Sequence, residues 1–147
     1  MDEAEARRRF AAGRVGHLAT VGADGHPGVV PCCFAVEGDA LYTAVDHKPK
    51  RSPRLRRLDD VAAHPEVALV VDHWSEEWEE LWWVRARGSG RVVAAAAGGS
   101  DADGDRAAAR RLLAAKYAQY RDAPPAGAVI VVRLVAWRWW SGAPGGS

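Results

Sequence analysis

The chain has 147 residues, enough for one domain with a real core and short for two. Lys and Arg total 20 against 19 Asp and Glu, so the net charge of +1 argues against a nucleic-acid binder held by bulk charge. With 48% hydrophobic and 27% charged residues the composition is that of a folded globule, and no apolar run reaches the ~18–20 residues of a membrane span.

Residues 2–12 are expected to form a helix. Asp2 is its cap, Glu3 and Glu5 sit in the positive first turn, Arg7 to Arg9 follow toward the negative end, and Gly13 stops it. The opening MDEAEARRRF has no apolar stretch, so no secretory signal is expected and a cytoplasmic protein is. From residue 15 the pattern reads as strands, over 15–21, 28–36 and 40–45. Turns at 22–25 and 37–39 join them as an antiparallel meander, with Pro31 marking an edge or a bulge. Residues 52–63 read as a helix, with Ser52 as cap, Pro53 in the first helical position and His64-Pro65 at the end.

A strand over 66–72 leads into an acidic, Trp-bearing loop at 73–80. A long strand over 81–93 follows, bent at Gly88 and Gly90. After an Ala/Gly-rich connection, an amphipathic helix is expected over 103–120, with Leu112, Leu113, Lys116, Tyr117 and Tyr120 on its stripe. Pro124-Pro125 ends it. A last strand over 127–139 runs into a loose tail from about residue 141. The sum is one domain over 1–147, mainly β: a six-stranded antiparallel β-barrel with helices packed outside.

Three features bear on chemistry. The segment from Lys48 to Arg57 carries Lys48, Lys50, Arg51, Arg54, Arg56 and Arg57 with no acid among them, in a chain that is nearly neutral. Basic residues are unfavourable in a helix's first turn, yet basic side chains beside a helix N-terminus make an anion site, usually for phosphate. Arg56 and Arg57 also suit a merely solvated charge run. Second, seven Trp stand against two Phe and three Tyr, clustered at 74–83 and 137–140. Packing accounts for most tryptophans, and the other use is a wall for a planar ligand. Third, Cys32 and Cys33 are adjacent, so they point to opposite faces of a strand and are poorly placed to bond to each other. The five histidines show no zinc-ligand spacing, and no metal site is expected. No residue stands out as a proton donor, so the catalytic residues are unassigned.

The order of parts resembles the split β-barrel flavin and deazaflavin proteins related to pyridoxamine 5′-phosphate oxidase. The matching pieces are Gly16-His-Leu-Ala-Thr-Val with Asp24-Gly-His-Pro27, Val30-Pro-Cys-Cys-Phe-Ala-Val36, Leu41-Tyr-Thr-Ala with the basic segment, His64-Pro-Glu-Val-Ala-Leu-Val-Val-Asp72, Trp82-Trp-Val-Arg-Ala-Arg-Gly88 and Trp137-Arg-Trp-Trp140. The likeness spans about residues 5–140 and is nearest to the actinobacterial branch that uses the deazaflavin coenzyme F420. It implies a six-stranded split barrel and a homodimer whose cofactor ring lies in a groove between subunits. It also implies hydride transfer from the reduced cofactor to an unsaturated or reducible small molecule. Lys50 and Arg51 match the family's phosphate-contacting basic position, and Lys48 and Arg54 extend it. Pro53 and Arg54 depart from the Arg-Asn pair common there. Trp78, with Trp137 or Trp139 from the partner chain, would wall the ring. FMN is the alternative cofactor, and a cofactor-binding protein without turnover the alternative role. FMN ends in one phosphate, whereas the deazaflavin's carboxylate-rich tail suits the longer cationic track.

Overall fold

The computed structural model describes residues 1–45, 53–95 and 104–145, with the side chains of 53–55 left out. Its elements in chain order are α1 (Glu3–Ala12), β1 (Gly16–Val21), β2 (Pro27–Cys32), β3 (Ala35–Glu37), β4 (Ala40–Ala44), α2 (Pro53–Ala63), β5 (Glu66–His73), β6 (Trp82–Val93), α3 (Asp105–Lys116), α4 (Ala118–Asp122) and β7 (Val129–Ser141). A single 3-10 turn spans Trp78–Glu80. Among the described residues no helix is long and apolar enough to cross a membrane.

Seven strands form one open antiparallel sheet in the order β2-β1-β5-β6-β7-β4-β3. This corrects the six-stranded barrel and the three-strand meander expected from the sequence. The run 28–36 is two strands, and they lie on opposite edges of the sheet. The break falls at Cys33-Phe34, where the alternation of burial slips: Phe34 and Ala35 are both buried. Phe34 enters one core, against Phe10 with ring centroids 5.4 Å apart, and Ala35 enters another, beside Leu113 and Tyr117. Cys32 and Ala35 are three residues apart, so the two edges lie within about 10 Å at this corner. The sheet therefore curls until its edges nearly meet, but β2 and β3 do not pair and the barrel stays unclosed.

The inner face of the curl buries Leu18, Leu41, Leu69, Val71, Val84, Ile130, Val132 and Leu134 under α1 and α2, which contribute Ala6, Phe10 and Val61. Each such large side chain, fully buried, is worth about 1.5–3 kcal/mol. The α1 start is built as expected: Asp2 Oδ1 accepts the Glu5 N–H at 2.8 Å, and Glu3–Arg7 and Glu5–Arg9 pair at helical spacing. Gly13 ends α1 with φ −60°, not in a left-handed cap. A Cβ there would collide with Val71 Cγ1, so close approach of backbone to core accounts for the glycine.

The second core lies on the outer face, where α3 and α4 cover Tyr42, Ala44, Val129 and Val131. The single helix expected over 103–120 is two. Tyr117 is extended (φ −119°, ψ 127°) and separates them. Among the described residues, no helix packs on the rest of the outer face, over β1, β5, β6 and the far half of β7. The expected tail at 141 is held at its root: Ser141 ends β7, and the Gly142 N–H donates to the Leu81 carbonyl at 2.8 Å.

Candidate functional site

Strand β4 ends beside the start of α2 in the sequence, and the basic segment joins them. Lys48, Lys50, Arg51 and Ser52, expected as the cap, lie outside the described residues, as does the side chain of Arg54, whose backbone sits in the first turn of α2. That turn contains no acid. What flanks it is described. Arg56 is exposed, with its guanidinium 3.7 Å from Asp24 Oδ2. The Asp24 carboxyl is held below its usual range by the His26 N–H at 3.0 Å and the His26 ring at 3.1 Å. Arg57, by contrast, is 5% exposed.

Two clefts open on either side of Arg57. One, about 210 Å³, is lined by Thr20, His26, Gly28, Arg56 and Asp60; Thr20 Oγ1 donates to Asp60 Oδ2 at 3.1 Å in its floor. The other, about 180 Å³, is lined by Val15, Pro31, Cys32, Cys33, Ala44 and Tyr120. Arg57 lines both. Its burial corrects the reading of it as a solvated charge. The signal was available: Arg57, Asp60 and Val61 share one face of α2 at i, i+3, i+4, and all three are buried.

At the corner where the sheet edges approach, side chains replace a missing ladder. The Tyr117 hydroxyl accepts the Phe34 N–H at 3.1 Å and donates to the Arg14 carbonyl at 2.9 Å. Lys116 Nζ donates to the carbonyls of Phe34 (2.9 Å) and Ala11 (3.0 Å) and stands 3.8 Å from the centre of the Phe34 ring. Burial, with Arg14 nearby, pulls the Lys116 ammonium down to about 8, and burial pushes the Tyr117 phenol up to about 12. The Cys32 thiol is also raised by burial. Neither cysteine forms a disulfide, and they pack toward different cores. A raised thiol is a poor nucleophile at neutral pH, so Cys32 is not poised as a reactive centre.

The tryptophans divide between the two faces. Trp137 meets Phe10 edge-on at 5.0 Å with Arg7 over its other side at 4.7 Å. Trp139 Nε1 donates to the Met1 carbonyl at 2.9 Å. Both indoles are thus half-buried against α1 of their own chain. Trp78 lies on the 3-10 turn and is 74% exposed, and Trp74 nearby is 69% exposed. Sequence reasoning did not single out the cleft of about 380 Å³ on the outer face, lined by His17, Val70, His73, Trp74, Trp83 and Trp140 among others. Strand parity alone puts Trp83 and Trp140 on one face and Trp137 and Trp139 on the other. The described part of the molecule therefore offers cationic ground at α2 and separate aromatic ground at the β5–β6 end. The donor set at α2 suits a phosphate, and the exposed indoles suit a planar ring.

The fold recurs in solved structures. A conserved hypothetical protein from Mycobacterium tuberculosis aligns with a TM-score of 0.73 at 16% identity, over 97% of this chain and 86% of that one. A heme binding protein from Mycobacterium smegmatis aligns at 0.70 with 23% identity, over 96% of this chain and 54% of that one. An F420 reductase aligns at 0.60 with 26% identity, over 90% and 94%. No curated protein matches the chain. The sequence profile of the pyridoxamine 5′-phosphate oxidase family matches residues 2–141, and the chain belongs to that family.

Proposed function

We propose that this chain is a homodimeric oxidoreductase dependent on coenzyme F420, acting on an unsaturated or otherwise reducible small molecule. The observation that carries this reading is the placement of cations at α2. The acid-free basic segment ends in a helix whose first turn also lacks acid, and Arg57 is buried between two clefts beside it. Five cations, Lys48, Lys50, Arg51, Arg54 and Arg57, exceed what one phosphate needs and suit a phosphate followed by several carboxylates. The likeness to an F420 reductase at 26% identity supports the same choice. When bound, the cofactor supplies the hydride; the chain supplies binding, orientation and charge. Lys48, Lys50, Arg51 and Arg54 hold the tail. Trp78, and Trp137 or Trp139 from the partner chain, stand against the ring.

The test is titration of the purified protein with long-tailed and short-tailed F420, FMN and hemin at two salt concentrations. Affinity for F420 is expected to rise with tail length and to fall steeply with salt, because exposed ion pairs are screened within ~10 Å at 0.1 M. Tighter binding of FMN would replace this reading with an FMN-dependent oxidoreductase. F420 binding with no turnover of any reducible acceptor would leave a carrier of the cofactor. Hemin binding in preference to all three would place the chain with the heme binders of this fold.

A further inference from the structure

A cavity of about 580 Å³ opens on the outer face and shares no lining residue with the clefts beside Arg57. Its floor is the sheet. Ala40, Arg133 and Ser89 form one row across β4, β7 and β6, and Val131 and Arg91 lie on the next row. Glu37 and Asp39, on the β3–β4 hairpin, stand at one side, and Asp105, at the start of α3, at the other. Every acid of the cavity is already matched. Arg111 holds Glu37 at 3.3 Å, Arg7 holds Asp39 at 3.0 Å, and Arg91 pairs with Asp105. Arg133 is the charge left over. It is exposed, and among the described residues no group accepts a hydrogen bond from it or pairs with it. Beside it the floor is apolar, with Ala40 half-buried and Val131 buried.

We infer that this cavity binds a small organic monoanion, a carboxylate carried on an apolar or aromatic body. The unmatched Arg133 carries the inference. A guanidinium grips a carboxylate through two parallel N–H···O bonds, and the Ser89 hydroxyl, directly across the ladder, is placed to donate another. Charge sets the class of ligand. A cation or a neutral molecule leaves Arg133 unmatched. A dianion meets three carboxylates already on the walls, and like charges oppose it. One negative charge balances the cavity. Spacing sets the size. At about 3.3 Å per residue, the row of Val131 and Arg91 lies roughly 7 Å along the strands from the row of Arg133. That is the reach of a single benzene ring with its carboxylate. Such a body, anchored at Arg133, lies over Ala40 and Val131 and ends at the Arg91–Asp105 pair, whose polar groups face its far end. The cavity volume falls within the ~300–1,000 Å³ of ordinary small-molecule pockets. Helix α2 packs on the opposite face of the sheet, where Val61 joins the inner core. The site is therefore separate from the one proposed for the cofactor and does not depend on which cofactor the chain takes.

The experiment uses benzoate as the probe, read by the amide chemical shifts of the isotope-labelled full chain. Saturable shifts are expected at residues 89–91 and 131–133, with a single site per chain. Benzamide, the neutral isostere, is expected to bind at least tenfold more weakly, and phenyl phosphate, a dianion at pH 8, no more tightly than benzoate. Arg133→Gln is expected to weaken benzoate binding at least tenfold. Arg8→Gln removes the same charge from an exposed position on α1 and is expected to leave binding unchanged. Far-UV circular dichroism checks each variant. If Arg133→Gln folds poorly, Arg133→Lys, which keeps the charge and loses the fork, is expected to bind benzoate more weakly than wild type and still more tightly than it binds benzamide. An absence of shifts at these residues, equal affinity for benzoate and benzamide, or equal losses at Arg133 and Arg8 overturns the site. Tighter binding of phenyl phosphate overturns the choice of a monoanion.

Discussion

The Tyr117 hydroxyl lies 3.1 Å from both the backbone nitrogen and the carbonyl oxygen of Phe34, a residue 83 positions away in the chain. Phe34 sits where the chain passes from one edge of the sheet to the other, so its polar backbone has no ladder partner there. Buried backbone groups require partners, and Tyr117, backed by Lys116, provides them.

Tyr117→Phe keeps the ring and removes that hydroxyl. The Phe34 N–H is then buried without an acceptor, which costs about 1–3 kcal/mol. Urea unfolding is expected to show a lower midpoint with an unchanged slope. An unchanged midpoint would mean that water replaces the hydroxyl without loss.

Lys116 makes a pH-dependent contribution whose sign follows from its position. The unfolded side chain titrates near 10.5 and the folded one at about 8, so between those values the unfolded chain binds more protons. Stability due to this group therefore rises as pH rises through that window. Tyr117, pushed up to about 12, acts in the opposite sense above pH 10, so the clean range is pH 8 to 10. Unfolding measured at pH 7, 9 and 10 is expected to show wild type gaining on Lys116→Met as pH rises. A gap that stays constant would refute the assignment.

At the cation site, Lys50→Ala with Arg51→Ala is expected to weaken cofactor binding at least tenfold, about 1.4 kcal/mol. Arg57→Met is expected to weaken it as well, because Arg57 lines both clefts. Arg56→Ala is expected to change little, since its side chain is exposed and lies near Asp24. Calorimetry on the three variants checks the order. Equal losses at Arg56 and Arg57 would show that only net charge matters.

Gly88 is held by close packing. The ladder shifts register between Arg87 and Gly88, and a Cβ at Gly88 would fall on the Arg133 carbonyl. Gly88→Ala is expected to cost roughly 1–3 kcal/mol as an overpacked site, read by thermal melting. A melting temperature equal to wild type would show that β6 and β7 can separate here.

Much of the fold was legible because its turns are chemical. Gly22 to Gly25 and Glu37 to Asp39 end strands visibly, and Asp2 and Pro53 mark helix starts. The break at Cys33-Phe34 was not legible, because both residues are as apolar as the strands they separate. Only the demand of two cores on either side, for Phe34 and Ala35, reveals it. The Tyr117 interruption was hidden for a similar reason: its hydroxyl answers to backbone groups far earlier in the chain. In the site, the density of cations was plain in the sequence. The burial of Arg57 was not, since a charged residue beside other charges reads as solvated until β1 and β2 pack against it. For the tryptophans, parity separates the faces, but which face is covered depends on α1 at the other end of the chain.

Pro27 and Pro31 occupy the outermost strand, two steps either side of Val29. Alternate residues of a strand direct their nitrogens to the same side, and a proline within a paired strand has its nitrogen on the side away from its neighbour. Of the three nitrogens turned outward on β2, only that of Val29 bears a hydrogen. A strand offered from another molecule finds one donor where it would need three, so this margin is a poor template for fibrillar growth or for exchange of segments between chains.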